Sequence, residues 1–142
     1  MEFKATDNHN YLYDFYCENS LEVSRDISIE DNAIFSLKYE DESGVLAAAT
    51  LSKRKSNFIL DYVAVADALR GKGIGKKLVL EMLNNAKIMG AKEVFISAKN
   101  HNFFKALGFI EGEPENLDLN NDCKGCPQFL NGCNPVKMKI DI

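Results

Sequence analysis

The sequence predicts an α/β fold in which helices flank a mixed, mostly antiparallel sheet, and three observations carry that reading. Between residues 33 and 65, three apolar-rich runs are separated by two polar turns, the pattern of consecutive hairpin strands. From Leu78 the apolar period changes to that of a helix, through Val79, Met82, Leu83 and Ala86. A strand, a short helix and two further strands then follow. Strands first, then strand–helix–strand–helix–strand, imply one layer of sheet covered by helices.

Taken in order, Phe3-Lys4-Ala5 reads as a short strand, and Asp7-Asn8 suit the cap of a helix over Tyr11–Cys17. Leu12, Phe15 and Tyr16 share one face of that helix, and a second short helix is expected around Leu21–Ile27. Ala33–Tyr39 and Val45–Leu51 flank the glycine-ended turn Glu40-Asp41-Glu42-Ser43-Gly44. Lys53-Arg54-Lys55-Ser56-Asn57 is read as a solvated turn, and Phe58–Val65 as the third long strand. Gly90 is placed to end the long helix, and Glu93–Ala98 reads as a buried strand. Asn100 or Asn102 would cap a short helix that runs to Leu107 and stops at Gly108. Phe109-Ile110 and Met138–Ile142 are the last strands, on either side of a cysteine-bearing excursion over 111–137. Without repeats, linkers or low-complexity tracts, residues 1–142 read as a single domain.

The apolar and charged fractions, 46% and 27%, are those of an ordinary globular chain. No leader-like start and no apolar run of spanning length are visible, so the expectation is a cytoplasmic protein without a membrane partner. A net charge of −4 argues against a nucleic-acid binder. Residues 70–105, however, hold eight Lys or Arg against two Glu. A basic segment in an acidic protein suits a small polyanionic ligand.

That segment begins with Arg70-Gly71-Lys72-Gly73-Ile74-Gly75, set between a strand and a helix. Glycines let successive N–H groups turn toward one point, and the following helix adds the positive end of its dipole. Such a loop holds a phosphate or pyrophosphate. A Walker loop is excluded, because Arg70 stands where its first glycine belongs and Lys77 replaces the hydroxyl residue. A dinucleotide fingerprint is excluded as well, because Lys76 stands where its third glycine belongs.

What fits is Arg-x-x-Gly-x-Gly. The run Val63–Leu78 around it resembles the cofactor-binding motif of the GNAT superfamily of N-acetyltransferases. A second stretch, Phe103-Phe104-Lys105-Ala106-Leu107-Gly108-Phe109, is similar to that family's helix along the pantetheine arm and the strand after it. The resemblance covers 1–110 in element order and 58–110 in motif detail. It implies a GNAT-like fold and acetyl-CoA as acyl donor to a primary amine. By that resemblance the main chain of Val63, Ala64 and Val65 would pair with pantetheine. The amides of Gly71, Lys72, Gly73, Ile74, Gly75 and Lys76 would hold the pyrophosphate, with Arg70 as a cation beside it. Lys105 would approach the CoA end, and the family's asparagine aligns with either Asn100 or Asn102. Tyr11, Tyr13 and Tyr16 lie where the family walls its acceptor pocket, although core packing is the favoured reading for them.

The chemistry departs from the family at one point. Where GNAT enzymes commonly carry a tyrosine that protonates the departing thiolate, this chain has Phe104, which has no proton to give. Asp61 is the candidate base, because strict alternation along the strand would set it on the face of Val63 and Val65. An N–H near Val65 is the candidate oxyanion donor, and His101 reads as a capping or surface residue. A CoA-binding sensor without turnover is the alternative function.

The tail departs too. Cys123, Cys126 and Cys133 lie close in sequence, and Cys-x-x-Cys spacing brings two thiolates within reach of one ion. Zinc with a fourth ligand among Cys17, His101, Asp118 and Asp122, free thiols, and a Cys123–Cys126 or Cys126–Cys133 disulfide all stay open here. The identity of the amine acceptor and the oligomeric state are not legible.

Overall fold

The computed structural model describes residues 3–7, 12, 15–16, 33–98, 101–112, 114 and 136–142. Seven strands form one sheet: β1 (Lys4–Thr6), β2 (Ala33–Asp41), β3 (Gly44–Arg54), β4 (Asn57–Val65), β5 (Glu93–Ala98), β6 (Ile110–Glu111) and β7 (Val136–Asp141). Their order is β1-β2-β3-β4-β5-β7-β6, antiparallel throughout except where β4 meets β5. Helix α1 (Ile74–Ile88) is the crossover that a parallel β4–β5 pair requires, and helix α2 (His101–Ala106) follows β5. The expected mixed, mostly antiparallel α/β architecture is thus observed.

Both central hairpins close more tightly than expected. Asp41 pairs with Gly44 across a two-residue turn, and Asp41 accepts hydrogen bonds from the Ser43 hydroxyl (2.6 Å) and N–H (2.8 Å). Those bonds, the hydroxyl's first, hold the Asp41 carboxyl below the usual carboxylate range. At the second hairpin Lys55 and Ser56 take left-handed backbones, φ 49° and 68°, the conformation whose twist matches the flanking strands. The five-residue turn over 53–57 is therefore a two-residue turn, and Lys53 and Arg54 belong to β3. Polar residues at the end of a strand look like a turn in sequence; their ladder partners Phe58 and Asn57 decide otherwise.

One face of the sheet buries α1. Leu78, Val79, Met82, Leu83 and Ala86, the expected stripe, pack on Ala47, Ala49, Leu51 and Leu60 of the central strands and on Val94 and Ile96 of β5. Gly90, at φ 99°, ends the helix: Ala91 N–H bonds to Ala86 O (2.9 Å) and Gly90 N–H to Lys87 O (3.0 Å).

The opposite face buries Leu12, Phe15 and Tyr16 against Ala48 and Ala64. Tyr16 stacks on Tyr62 (4.9 Å between centroids), and its hydroxyl lies 2.7 Å from Thr50 Oγ1, which is 2.8 Å from Ser36 Oγ. Burial pushes the Tyr16 hydroxyl far above its ordinary range, so it stays protonated. Removing it by Tyr16→Phe leaves Thr50 still bonded to Ser36, so a loss of about 1 kcal/mol is expected in urea denaturation. Thr50→Val removes the hydroxyl that both Tyr16 and Ser36 bond, two hydrogen bonds instead of one, and should cost more. Equal midpoints for Tyr16→Phe and wild type would show that the hydroxyl contributes nothing net. The remaining residues of the expected helices over 11–17 and 21–27 lie outside the described residues.

Candidate active site: the cleft between strands 4 and 5

Strands β4 and β5 pair only at Phe58↔Val94 and Ile59↔Phe95; beyond these no ladder pair joins them among the described residues. A cleft of about 760 Å³ opens in the gap, running from Leu60 and Asp61 to the glycine loop. On its other edge β4 is irregular at the same point. Thr50 faces Tyr62 and Leu51 faces Leu60, so Asp61 is an extra residue with no opposite number, a β-bulge. A bulge bends its strand and adds local twist.

The bulge also corrects the alternation argument for Asp61. Its carboxylate accepts from Nη2 of Arg54, with the two side chains 21% and 18% exposed. Arg54 belongs to the face of Ser52 and Thr50, opposite that of Val63 and Val65. Asp61 still lines the cleft, but it does so from the side away from α1. Arg54 is the site residue missed in sequence, hidden in a basic triplet that reads as solvated; only the hairpin register reveals it.

At the cleft's other end a 3₁₀ turn (Asp67–Leu69) leads into the glycine loop. Gly71 and Gly73 take φ 79° and 75°, and a Cβ on either would meet nothing within 4 Å. The left-handed backbones turn the loop, and Gly73 is the N-cap of α1, with no side-chain oxygen satisfying the first amides. Those amides and the helix dipole are joined by Lys72, Lys76 and Lys77, with no acidic residue in the first turn. Cations at a helix N-terminus are unfavourable by about 0.3–1 kcal/mol each, a cost that a bound anion reverses. Arg70 is oriented across the same turn, donating from Nε to Val65 O (3.1 Å) and from Nη1 to Asp67 (2.8 Å).

The residues expected to bind CoA separate into three groups. Val63, Ala64, Val65, Arg70, Gly71, Gly73, Ile74, Gly75 and Lys76 line this one cleft. Lys72, Asn102 and Lys105 are exposed and do not belong to its lining, as is His101 at the start of α2. Asn100 lies outside the described residues, as do Tyr11, Tyr13, Cys17 and the zinc candidates Cys123, Cys126 and Cys133. Tyr16 is fully buried and belongs to the core. The far wall is aromatic: Phe104 stands edge-on to Phe103 (5.0 Å) and Phe109 (5.4 Å). Phe103 reaches α1 so closely that a Cβ at Gly75 would come 3.3 Å from its ring.

The family model described as the acetyltransferase (GNAT) family matches residues 3–109. The chain belongs to the GNAT acetyltransferase family. It is 35% identical over 78 residues to an uncharacterised N-acetyltransferase of Chlorobaculum tepidum, an alignment covering 54% of this chain and half of that relative. In fold it is similar to an IAA acetyltransferase of Bacillus cereus (TM-score 0.73, 15% identity, 99% of each chain). It is also similar to a Bacillus subtilis acetyltransferase in complex with CoA (TM-score 0.70, 20% identity, 99% of this chain and 98% of that one). The seven-stranded sheet with its parted central strands is thus a GNAT fold. No helix among the described residues is long and apolar enough to cross a membrane.

Proposed function

We propose that this chain transfers the acetyl group of acetyl-CoA to a primary amine by direct attack, without an acyl-enzyme. The observation that carries this reading is the glycine-capped, lysine-crowded start of α1 at the mouth of a cleft between parted strands. An anion nest joined to a row of strand edge groups suits a ligand with a pyrophosphate at one end and an amide-bearing arm. The pyrophosphate sits on the amides of Gly71–Lys76 beside Arg70, and the arm runs along Val63–Val65, whose edge toward β5 makes no ladder pair among the described residues. An N–H of this edge donates to the thioester carbonyl as charge develops on it.

The acceptor must be neutral to attack, and Asp61, or a water held by it, removes its proton. The Arg54–Asp61 ion pair keeps that carboxylate at the bulge, where the cleft begins. Phe104 contributes packing only. The similarity to an acetyltransferase in complex with CoA supports the donor.

The test is turnover of acetyl-CoA by the purified protein against a panel of amines, followed as free-thiol release. Acetylated product from at least one amine is expected, and intact mass during turnover should show no acetyl adduct. A trapped acetyl-cysteine would sink direct transfer. CoA binding with no turnover on any amine would favour a CoA-binding sensor instead, a reading that Phe104 at the usual acid position supports.

A further inference from the structure

We propose that Ser97 stabilises the departing CoA thiolate, the task that Phe104 cannot perform; this rests on the acetyl-CoA reading of the cleft. The geometry starts at the last paired residues of the parting strands. Ile59 and Phe95 face each other in register and form one small buried cluster. β5 pairs with β7 from Glu93 to Ala98 without a register shift, so its side chains alternate strictly. Ser97 therefore follows Phe95 on the same face, one step further into the opening. On β4 the corresponding step from Ile59 is Asp61, which the bulge and Arg54 hold to that face. A carboxylate and a hydroxyl thus stand on the two arms of the opening, and both line the cleft.

Among the described lining residues Ser97 carries the one side-chain hydroxyl, and its neighbours on β5, Ile96 and Ala98, are apolar and buried. A hydroxyl rotor carries one donor and two acceptor sites, so its O–H can turn to a thiolate as charge develops there. In the reaction the amine lone pair forms the C–N bond and the C–S bond pair passes to sulfur. Asp61 or its water, having passed the acceptor's first proton on to solvent, takes the proton of the new C–N centre. The Ser97 O–H donates to the sulfur as charge builds there and keeps its own proton, and the thiolate takes a proton from solvent as it leaves. A hydrogen bond to a developing anion in such a site changes rates by about ten- to a hundredfold.

The decisive measurement needs no acceptor. Ultraviolet titration of the thiol of bound CoA, against a reference holding desulfo-CoA to cancel the protein's own cysteines, reads thiolate stabilisation directly. Ser97→Ala should raise the midpoint of bound CoA by about one pH unit, about tenfold in thiolate, while affinity for CoA measured well below that midpoint, where the thiol is protonated, stays the same. Ser97→Thr should restore it. Identical midpoints in wild type and Ser97→Ala would overturn the assignment. Failure of the wild-type protein to bind CoA would overturn the donor site and this assignment with it.

Discussion

Gly73→Asp is expected to abolish CoA binding. Gly73 stands at φ 75° as N-cap of α1, in space that no protein atom fills within 4 Å of a built Cβ. A carboxylate there would occupy the anion nest and meet the pyrophosphate charge. At about 4 Å and an effective dielectric of about 20, two unit charges interact by about 4 kcal/mol, about a thousandfold in affinity. Wild-type protein with CoA at about a hundred times its Kd should gain about 2.7 kcal/mol, several degrees in Tm. The aspartate variant should gain nothing. Gly73→Asn separates charge from backbone strain: asparagine has the same size and tolerates the left-handed region, so part of the shift should return. A normal CoA shift in Gly73→Asp would refute the loop assignment.

The second large effect is on turnover and depends on pH. With Asp61→Asn only acceptor that is already neutral can attack, and that fraction falls about tenfold per pH unit below the amine's pKa. General-base assistance is typically worth about 10²–10⁴. The expected deficit is therefore about a hundredfold or more near pH 6, closing as pH rises toward about 9. Because the substitution also breaks the partly buried ion pair with Arg54, Arg54→Gln is the control. A loss shared by both variants and independent of pH reports packing; the pH-dependent part should belong to Asp61→Asn alone. Full activity of Asp61→Asn over this range would remove Asp61 from the mechanism.

Much of this was legible in the chain, because the signals are local. The apolar stripe of α1 is the one that packs, and Gly90 and Gly108 end their helices at φ 99° and 104°. Gly71 and Gly73 take left-handed backbones that other residues rarely adopt, so the turn of this loop is written in consecutive residues. The lysines around it carry the same message in charge.

What the sequence by itself determined, then, is the order of the elements, the helix face that packs and the glycine loop that starts the long helix. The tertiary structure alone decided where the chemistry faces. Asp61 looks like any alternating strand residue until the register of Thr50 and Leu51 on the neighbouring strand makes it the extra residue of a bulge. Arg54 looks solvated until the two-residue hairpin brings it to Asp61. Ser97 is an ordinary strand serine until β4 and β5 separate after Ile59 and Phe95. In each case the deciding fact is a ladder register, across the two-residue hairpin for Asp61 and Arg54 and between strands on either side of the long helix for Ser97. Register belongs to pairs of strands rather than to either one, and a slip of one residue reverses every side chain beyond it.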